Sequence, residues 1–477
     1  MGATPYIVPA GVKFQSPFGL SETPYVVAAP SGGAPLTDTF NMAVRHVLWP
    51  QLATAENGTW SWSPDSSSQF GGVYQIPFGE QSDDTLYLEW DDVVLQPGDY
   101  EIRILCPTYS VGPILHLDFD GADTGARLDT YSASTAYNQV ITDTFTVATK
   151  TRGAIRLTNA SKNASSGAYR FRIQQIEIVK TSADSDAGES LDDLPWVQDV
   201  PPVAYDSETV QSGANLTQST STSWGSYLIT SYSQDNYVEW KVWLAQGTYD
   251  FNLVHRTGPT SGIATLTIDG GASEGTIDAY GGNADNVESS INGIVIASTG
   301  VHTVRLTVST KNASASAYRF YVQWMQFRKT AETGAITATG ATYGRETMEL
   351  WPWFADAATG FETFQANVSY LFYGVVYSDS PAINDYVDFK AGISAGTYDV
   401  TCFTSRGNNR GIVHLSNGGA DLDTVDMYNG STVYNVALTL SGSLVAGTIS
   451  FAMDSKNASS SNYYNTTQFY RLVRTGA

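Results

Sequence analysis

The sequence predicts an all-β protein, three tandem antiparallel β-sandwich (jelly-roll) domains behind an extended N-terminal arm. Three observations carry this. Charged residues are only 15% of the 477-residue chain, while Gly contributes 43 residues and Tyr 28. Ordinary globular proteins carry about 25% charge, and a Gly- and Tyr-rich chain of low charge suits short strands and tight turns better than helices. One set of short motifs recurs three times in constant order. Between those motifs, apolar and polar residues alternate with the period of a half-buried strand.

The repeat is read from its anchors. Ser161-Lys162-Asn163-Ala164-Ser165 returns as Thr310-Lys311-Asn312-Ala313-Ser314 and as Ser455-Lys456-Asn457-Ala458-Ser459. Gly98-Asp99-Tyr100 returns as Gly247-Thr248-Tyr249 and Gly396-Thr397-Tyr398, at spacings of 149 residues. Asp120-Gly121, Asp269-Gly270 and Asn417-Gly418 fall between them, as dipeptides that accept the positive φ of a hairpin turn. A period near 149 is too long for a solenoid repeat or a propeller blade, so each copy is a domain with its own core.

Taken in order, residues 1–50 match nothing in the copies. They space Tyr6, Phe14, Phe18 and Tyr25 with Pro9, Pro17, Pro24 and Pro30, which prevents a helix and disfavours a central strand. An extended anchoring arm is expected. Residues 51–181 form the first jelly roll, in which Tyr100, Ile102 and Ile104 alternate inward. Residues 182–204 are acidic and Pro-containing and read as an extended linker. Residues 205–330 form the second jelly roll, with Tyr249, Phe251 and Leu253 in the same register. Residues 331–345 are small and Gly-rich, a second linker, and 346–477 form the third jelly roll, with Tyr398, Val400 and Cys402. Cys106 and Cys402 are too far apart for a disulfide framework and are expected free and buried, as small hydrophobes.

The net charge of −22 argues against nucleic acid and against an anionic membrane surface. No segment approaches the roughly 20 apolar residues of a membrane span. The N-terminus lacks the apolar stretch of a secretory signal, and Tyr6 stands where myristoylation requires Ser or Thr. Synthesis in a host cytoplasm without a signal peptide is expected.

Copy two runs Asp235-Asn236-Tyr237-Val238-Glu239-Trp240, Gly247-Thr248-Tyr249, Thr267-Ile268-Asp269-Gly270 and Gly300-Val301-His302-Thr303-Val304-Arg305-Leu306. This resembles the carbohydrate-binding modules of families six and thirty-five, galactose-binding-like β-jelly rolls, over about 100 residues of each copy. Copy three departs from it, with Phe389 for Trp240 and Asn417 for Asp269. The resemblance implies a glycan site at a loop edge, where an aromatic ring stacks on the sugar and an Asn hydrogen-bonds it. The matching asparagines are Asn163, Asn312 and Asn457, beside Lys162, Lys311 and Lys456. Tyr131, Tyr280 and Tyr428 are the candidate rings. Ring faces cover sugar C–H patches, and an amide both donates and accepts. The structural alternative has Asn pinning its own loop, Tyr filling core, and Lys in a salt bridge with Glu89, Glu239 or Asp388. The resemblance also implies Ca²⁺ in acidic loops, although those loops differ between copies; no other cofactor is expected.

Other signals carry less. Gly271-Ala272-Ser273-Glu274-Gly275 has nucleophile-elbow spacing, with Asp285 and His302 following, but it follows a hairpin turn where an elbow needs a strand entering a helix. His116 and His414 share a repeat position that holds Thr265 in copy two, which argues against a shared metal site. Three functions remain: a non-enzymatic virion surface protein of a tailed bacteriophage (head fibre, decoration or tail-fibre component), a stand-alone multivalent lectin, and a polysaccharide-active enzyme. The first accounts for the arm, expected to join capsid or tail proteins through residues 1–50 and to form a homo-oligomer, with a trimer favoured. A host-surface polysaccharide is the expected ligand.

Overall fold

The computed structural model describes residues 15–16, 19–20, 45–68, 70, 72–76, 85–95, 97–149, 151–181, 197–200, 215–218, 226–230, 233–244, 246–298, 300–331, 347–360, 363–366, 374–377, 382–393 and 395–476. Residues 1–44 of the arm expected over 1–50, and the second linker, therefore lie almost wholly outside the described residues. Among the described residues every regular element is a strand or a single 3₁₀ turn.

Each copy is built on two antiparallel sheets facing one another, and copy one adds a small third sheet in the order Arg172–Ile173, Gly72–Gln75, Ser61–Pro64. In copy one the order is Ala122–Asp129, Pro113–Phe119, Thr151–Lys162, Tyr87–Leu95, Ala55–Asn57 in one sheet. In the other it is Ala136–Val147, Gly98–Thr108, Gln175–Lys180, Arg45–Leu48. Copies two and three repeat the plan around the central strands Gly247–Thr257 and Gly396–Arg406. Alternation does what it predicts: Tyr100, Ile102, Ile104 and Cys106 enter the first core, Tyr249, Phe251 and Leu253 the second, Tyr398, Val400 and Cys402 the third. Burying each such side chain fully stabilises the domain by roughly 1.5–3 kcal/mol. Both cysteines are free and buried, and burial pushes each thiol up to about 12.

The hairpin turns follow the repeat with one shift. Asp120-Gly121 and Asp269-Gly270 take left-handed φ, but in copy three the turn is Gly418-Gly419. Asn417 stays in the strand, and its amide ties Val445 to Thr448.

Two boundaries move. Arg45–Leu48, assigned to the arm, pairs with Gln175–Lys180 and is an edge strand of copy one. Val197–Val200, placed by its acidic setting in a linker, pairs with Phe320–Ala331 and sends Val200 into the second core. Backbone pairing with the neighbouring strand and the burial of Val200 outweigh the charge of the flanking residues.

The copies form a ring. A fourth apolar cluster takes Leu105, Val254 and Phe403, which share one repeat position, together with Trp49, Phe70, Trp324, Trp351, Phe354 and Phe469. Trp49 lies 4.5 Å from Trp324 and 5.6 Å from Trp351, and Trp351 stacks on Phe469 at 5.0 Å. Inner residues of the central strands face their own core, and the alternate ones face this hub. Around it, one strand position accepts a neighbour in every copy. Arg45 of copy one donates to the Lys390 carbonyl of copy three at 3.1 Å. Arg471 of copy three donates to the Lys241 carbonyl of copy two. Arg328 of copy two reaches Asp91 of copy one at 3.8 Å. Asp91, Lys241 and Lys390 each follow the equivalent residues Trp90, Trp240 and Phe389. Head-to-tail contacts that close after three steps make a cyclic, threefold-like arrangement inside one chain.

Candidate functional site

The residues singled out by the repeat meet at one end of each sandwich. The strands Thr151–Lys162, Gly300–Thr310 and Gly447–Lys456 end at the Lys-Asn loop, which packs against the loop following the central strand: Gly167 donates its N–H to Ser110, Ser316 to Pro259, and Ser461 to Asn408. Tyr131, Tyr280 and Tyr428 sit there half-buried, bridged to Tyr109, Gly258 and Gly407.

The three asparagines do the same work in each copy. The Asn163 amide donates to Asp129 at 2.9 Å and accepts the Ser165 N–H at 3.0 Å. Asn312 does so with Asp278 at 3.2 Å and Ser314 at 3.1 Å. Asn457 does so with Asp426 at 2.7 Å and Ser459 at 3.0 Å. The other oxygen of each aspartate receives the N–H of Tyr131, Tyr280 or Tyr428 at 2.8–2.9 Å. Each asparagine therefore pins its loop to the tyrosine loop and retains one amide hydrogen and one lone pair for a ligand.

The lysines do not take the salt bridges considered for them. Glu89 and Glu239 pair instead with Arg156 and Arg305. Lys162, Lys311 and Lys456 stand over the rings of Tyr169, Tyr318 and Tyr463 at 5.0, 5.3 and 5.0 Å. A cation at that distance is attracted to the ring face by about 0.5–1 kcal/mol where exposed.

Next to these groups lies a cluster that the repeat did not reveal. In copy one Arg170 and Arg172 stack on Tyr109 at 5.3 and 4.8 Å, and Arg172 donates to its hydroxyl at 2.8 Å. Burial pushes the Tyr109 phenol up, so it stays protonated. In copy two Arg256 stacks on Tyr321 at 5.8 Å while Arg319 donates to its hydroxyl at 3.1 Å. In copy three Arg410 stacks on Tyr464 at 5.9 Å, and Arg406 donates to the Tyr428 carbonyl at 2.7 Å. The rings come from different repeat positions, so aligning the copies does not show them. A second set is in register and was legible: Gln174, Gln323 and Gln468 donate to Asn138, Asn286 and Asn435 at 3.1–3.2 Å. Each of those asparagines has a positive φ on an edge strand, held by the glutamine amide.

The hydrolase-like residues are not assembled. Ser273 donates to the Gly275 carbonyl, Asp285 pairs with Arg256, and His302 lies 2.7 Å from Asp269. His116 lies 2.6 Å from Ser161 and His414 lies 3.3 Å from Asp421. Among the described residues no three His, Cys, Asp or Glu side chains group as a metal site would require.

The architecture defines the class: an all-β protein of three antiparallel sandwiches. No protein-family model and no curated protein matches the chain. Similar solved structures include the CBM36-1 domain of a multidomain xylanase from the hindgut metagenome of Trinervitermes trinervoides. It is 20% identical, covering 29% of this chain and 99% of that one, with a TM-score of 0.22. A family 35 carbohydrate-binding module from Clostridium thermocellum is 18% identical over 28% of this chain and 98% of that one, at 0.21. A Paenibacillus xanthan lyase is 16% identical over 85% of this chain, at 0.24, and this chain spans 35% of its length.

Proposed function

We propose that the chain is a non-enzymatic surface protein that binds glycans at three equivalent loop ends, and that it serves on a virion as a head fibre, decoration or tail-fibre component held through its N-terminal arm. One observation supports the binding reading above the others: in every copy a lysine, an asparagine, an aspartate and two tyrosines meet at the same end of the sandwich. Ring faces suit sugar C–H patches, and the remaining amide and carboxylate valences suit hydroxyls. Three sites on one body gain avidity by effective concentration, so each need only be weak. The virion setting rests on the sequence: tandem sandwiches, low charge, and an arm whose apolar residues have no core of their own.

The binding reading is tested by presenting the full chain to an array of bacterial-surface polysaccharides; binding to none of them overturns it. The setting is tested by deleting residues 1–44, which leaves the Arg45–Leu48 strand in place. The shortened chain should stay folded and be left out of assembled particles; normal incorporation overturns the anchoring role. Light scattering on the full chain reads the expected trimer against the 51.4 kDa of one chain.

A further inference from the structure

We propose that Asn292-Gly293 is a self-modification site. The Gly293 nitrogen closes on the side-chain carbonyl carbon of Asn292, Asp250 takes the proton, and the asparagine ends as aspartate or isoaspartate.

The first support is how the structure treats this dipeptide. The sequence holds four Asn-Gly pairs, beginning at Asn57, Asn292, Asn417 and Asn429. In such a pair the nitrogen that follows the asparagine is least crowded, because glycine has no Cβ. Asn417 is buried, and its side chain is tied to Val445 and Thr448 by three hydrogen bonds. Asn57 donates to the Thr85 carbonyl at 3.1 Å, and Asn429 to the Ser431 carbonyl at 2.8 Å. Asn292 is exposed, and its side chain makes no hydrogen bond among the described residues.

The second support is the backbone. Asn292 and Gly293 stand in the strand Ala284–Ile296, at the edge of its sheet. Tyr249 pairs with Ile294 and Phe251 with Ile291, so two residues face Asp250 where the ladder has room for one. That is a β-bulge, which bends its strand and re-aims the side chains there. Its glycine takes a φ of 78°, and a Cβ placed on it would meet nothing within 4 Å. The equivalent strands of the other copies carry no extra residue. Thr144 and Phe145 pair in turn with Glu101 and Tyr100, and Ser441 and Gly442 with Asp399 and Tyr398. The bulge belongs to copy two, and it takes Asn292 and Gly293 out of the ladder.

The third support is the carboxylate opposite. Gly293 donates its N–H to Asp250 Oδ1 at 3.1 Å. That nitrogen must lose its proton to attack, and a general base has to stand within about 2.6–3.2 Å of it. Attacking and attacked atoms belong to adjacent residues, so the step is intramolecular. The bond from the Gly293 nitrogen to Asn292 Cγ forms, and the Cγ–Nδ2 bond breaks. The proton passes through Asp250 to the departing Nδ2, which leaves as ammonia. Water then opens the cyclic imide at one of its carbonyls, giving aspartate or isoaspartate. No oxidant or reductant takes part.

The product acts where it stands. Either form sets a second carboxylate across from Asp250, and like charges on facing strand positions repel. Isoaspartate also adds a methylene to the main chain of the edge strand. Copy two therefore changes with age at its sheet edge, while copies one and three, which lack the bulge, keep theirs.

The test holds the full chain at neutral pH, folded or unfolded in urea, and maps its peptides over time by mass spectrometry, with electron-transfer fragmentation to separate isoaspartate from aspartate. In the folded chain Asn292 should convert faster than Asn57, Asn417 and Asn429, and faster than it does in urea. Asp250→Asn keeps an oxygen that accepts the Gly293 N–H but removes the base. It should slow conversion of Asn292 by roughly tenfold or more, since a positioned base typically contributes at least that. Equal rates at Asn292 and Asn417, or a rate at Asn292 that is lower in the folded chain than in urea, overturn the site. An Asp250→Asn rate equal to or above the native one overturns the role of Asp250 and makes its hydrogen bond a restraint. The comparison of folded with unfolded chain needs no variant, so a poorly folded variant does not blunt it.

Discussion

The contact between copies one and three and the contact between copies one and two use equivalent strand positions, yet they are built differently. At the first, Arg45 and Arg103 enclose the buried Glu177 at 2.8 and 3.4 Å, and both reach Asp356 across the boundary. Arg103 also donates to the Phe354 carbonyl at 2.6 Å, and Trp353 to Gln175 at 2.7 Å. At the second, Arg328 and Asp91 are 3.8 Å apart and partly exposed. Copies one and two are consecutive in the chain, which holds them at high effective concentration. Copies one and three are joined only through copy two. The contact that closes the ring is the one that carries the dense buried ionic network, and the tethered contact carries a partly exposed ion pair beside the Trp49–Trp324 packing of the hub.

The largest effect should come from breaking the buried network. Glu177→Ala leaves two guanidiniums without their shared carboxylate, and removing one partner of a buried pair costs about 3–5 kcal/mol. Urea unfolding should show that loss. A loss of less than about 1 kcal/mol would mean that Asp356 alone holds the two arginines and that the contact is no clasp.

Acid should separate the two regions next. His255 is buried at the repeat position of Cys106 and Thr404, and burial holds its pKa below 6.5. The unfolded state then binds the extra proton first, so copy two loses stability as pH falls below 6.5, until the folded value is passed. The slope is at most about 1.4 kcal/mol per pH unit. His255→Cys should flatten it in thermal melts between pH 7.5 and 5; an unchanged slope would assign the effect elsewhere. Asp356 behaves differently. Burial raises its pKa, but the charges of Arg45 and Arg103 and their hydrogen bonds outweigh that and hold it below 3.8. Its stabilisation is present above 3.8 and lost as pH falls through the lower folded value, so hydrogen exchange should open copy two in milder acid than the closure between copies one and three.

Asn312→Ala removes the links to Asp278 and Ser314 at an exposed loop and should cost about 1 kcal/mol. Its effect on glycan binding should exceed its effect on melting; the reverse would return the asparagine to loop pinning alone. The smallest change should be Asp91→Asn, within about 1 kcal/mol, because the pair it disrupts is partly exposed. A loss as large as that of Glu177→Ala would erase the distinction between the two contacts.

How much could be read beforehand follows from the same residues. Lys162-Asn163, Lys311-Asn312 and Lys456-Asn457 were visible because duplication kept them in register, and the structure gathers each with the predicted tyrosine. Their partners Asp129, Asp278 and Asp426 stood in the same repeat and could have been paired with them. Tyr109, Tyr321 and Tyr464 were not legible, because each comes from a different position of the repeat. Val197–Val200 was misplaced because composition describes the charge of a segment, whereas its pairing depends on the partner strand Phe320–Ala331, more than 100 residues away.

The sequence alone determined three sandwiches, the inward faces of their central strands and two of their three hairpin turns. Those features depend on neighbours in the chain: alternation with period two, and dipeptides that tolerate positive φ. Tertiary structure decided that the sandwiches close into a ring rather than follow one another as beads. It also decided that Arg45 and Arg103 share Glu177 and Asp356, and that in copy two Arg256 and Arg319 share Tyr321. The Glu177 contacts and the Arg45–Asp356 pair join residues 74 to 311 positions apart, and their energy comes from desolvation and geometry that only the assembled surfaces supply.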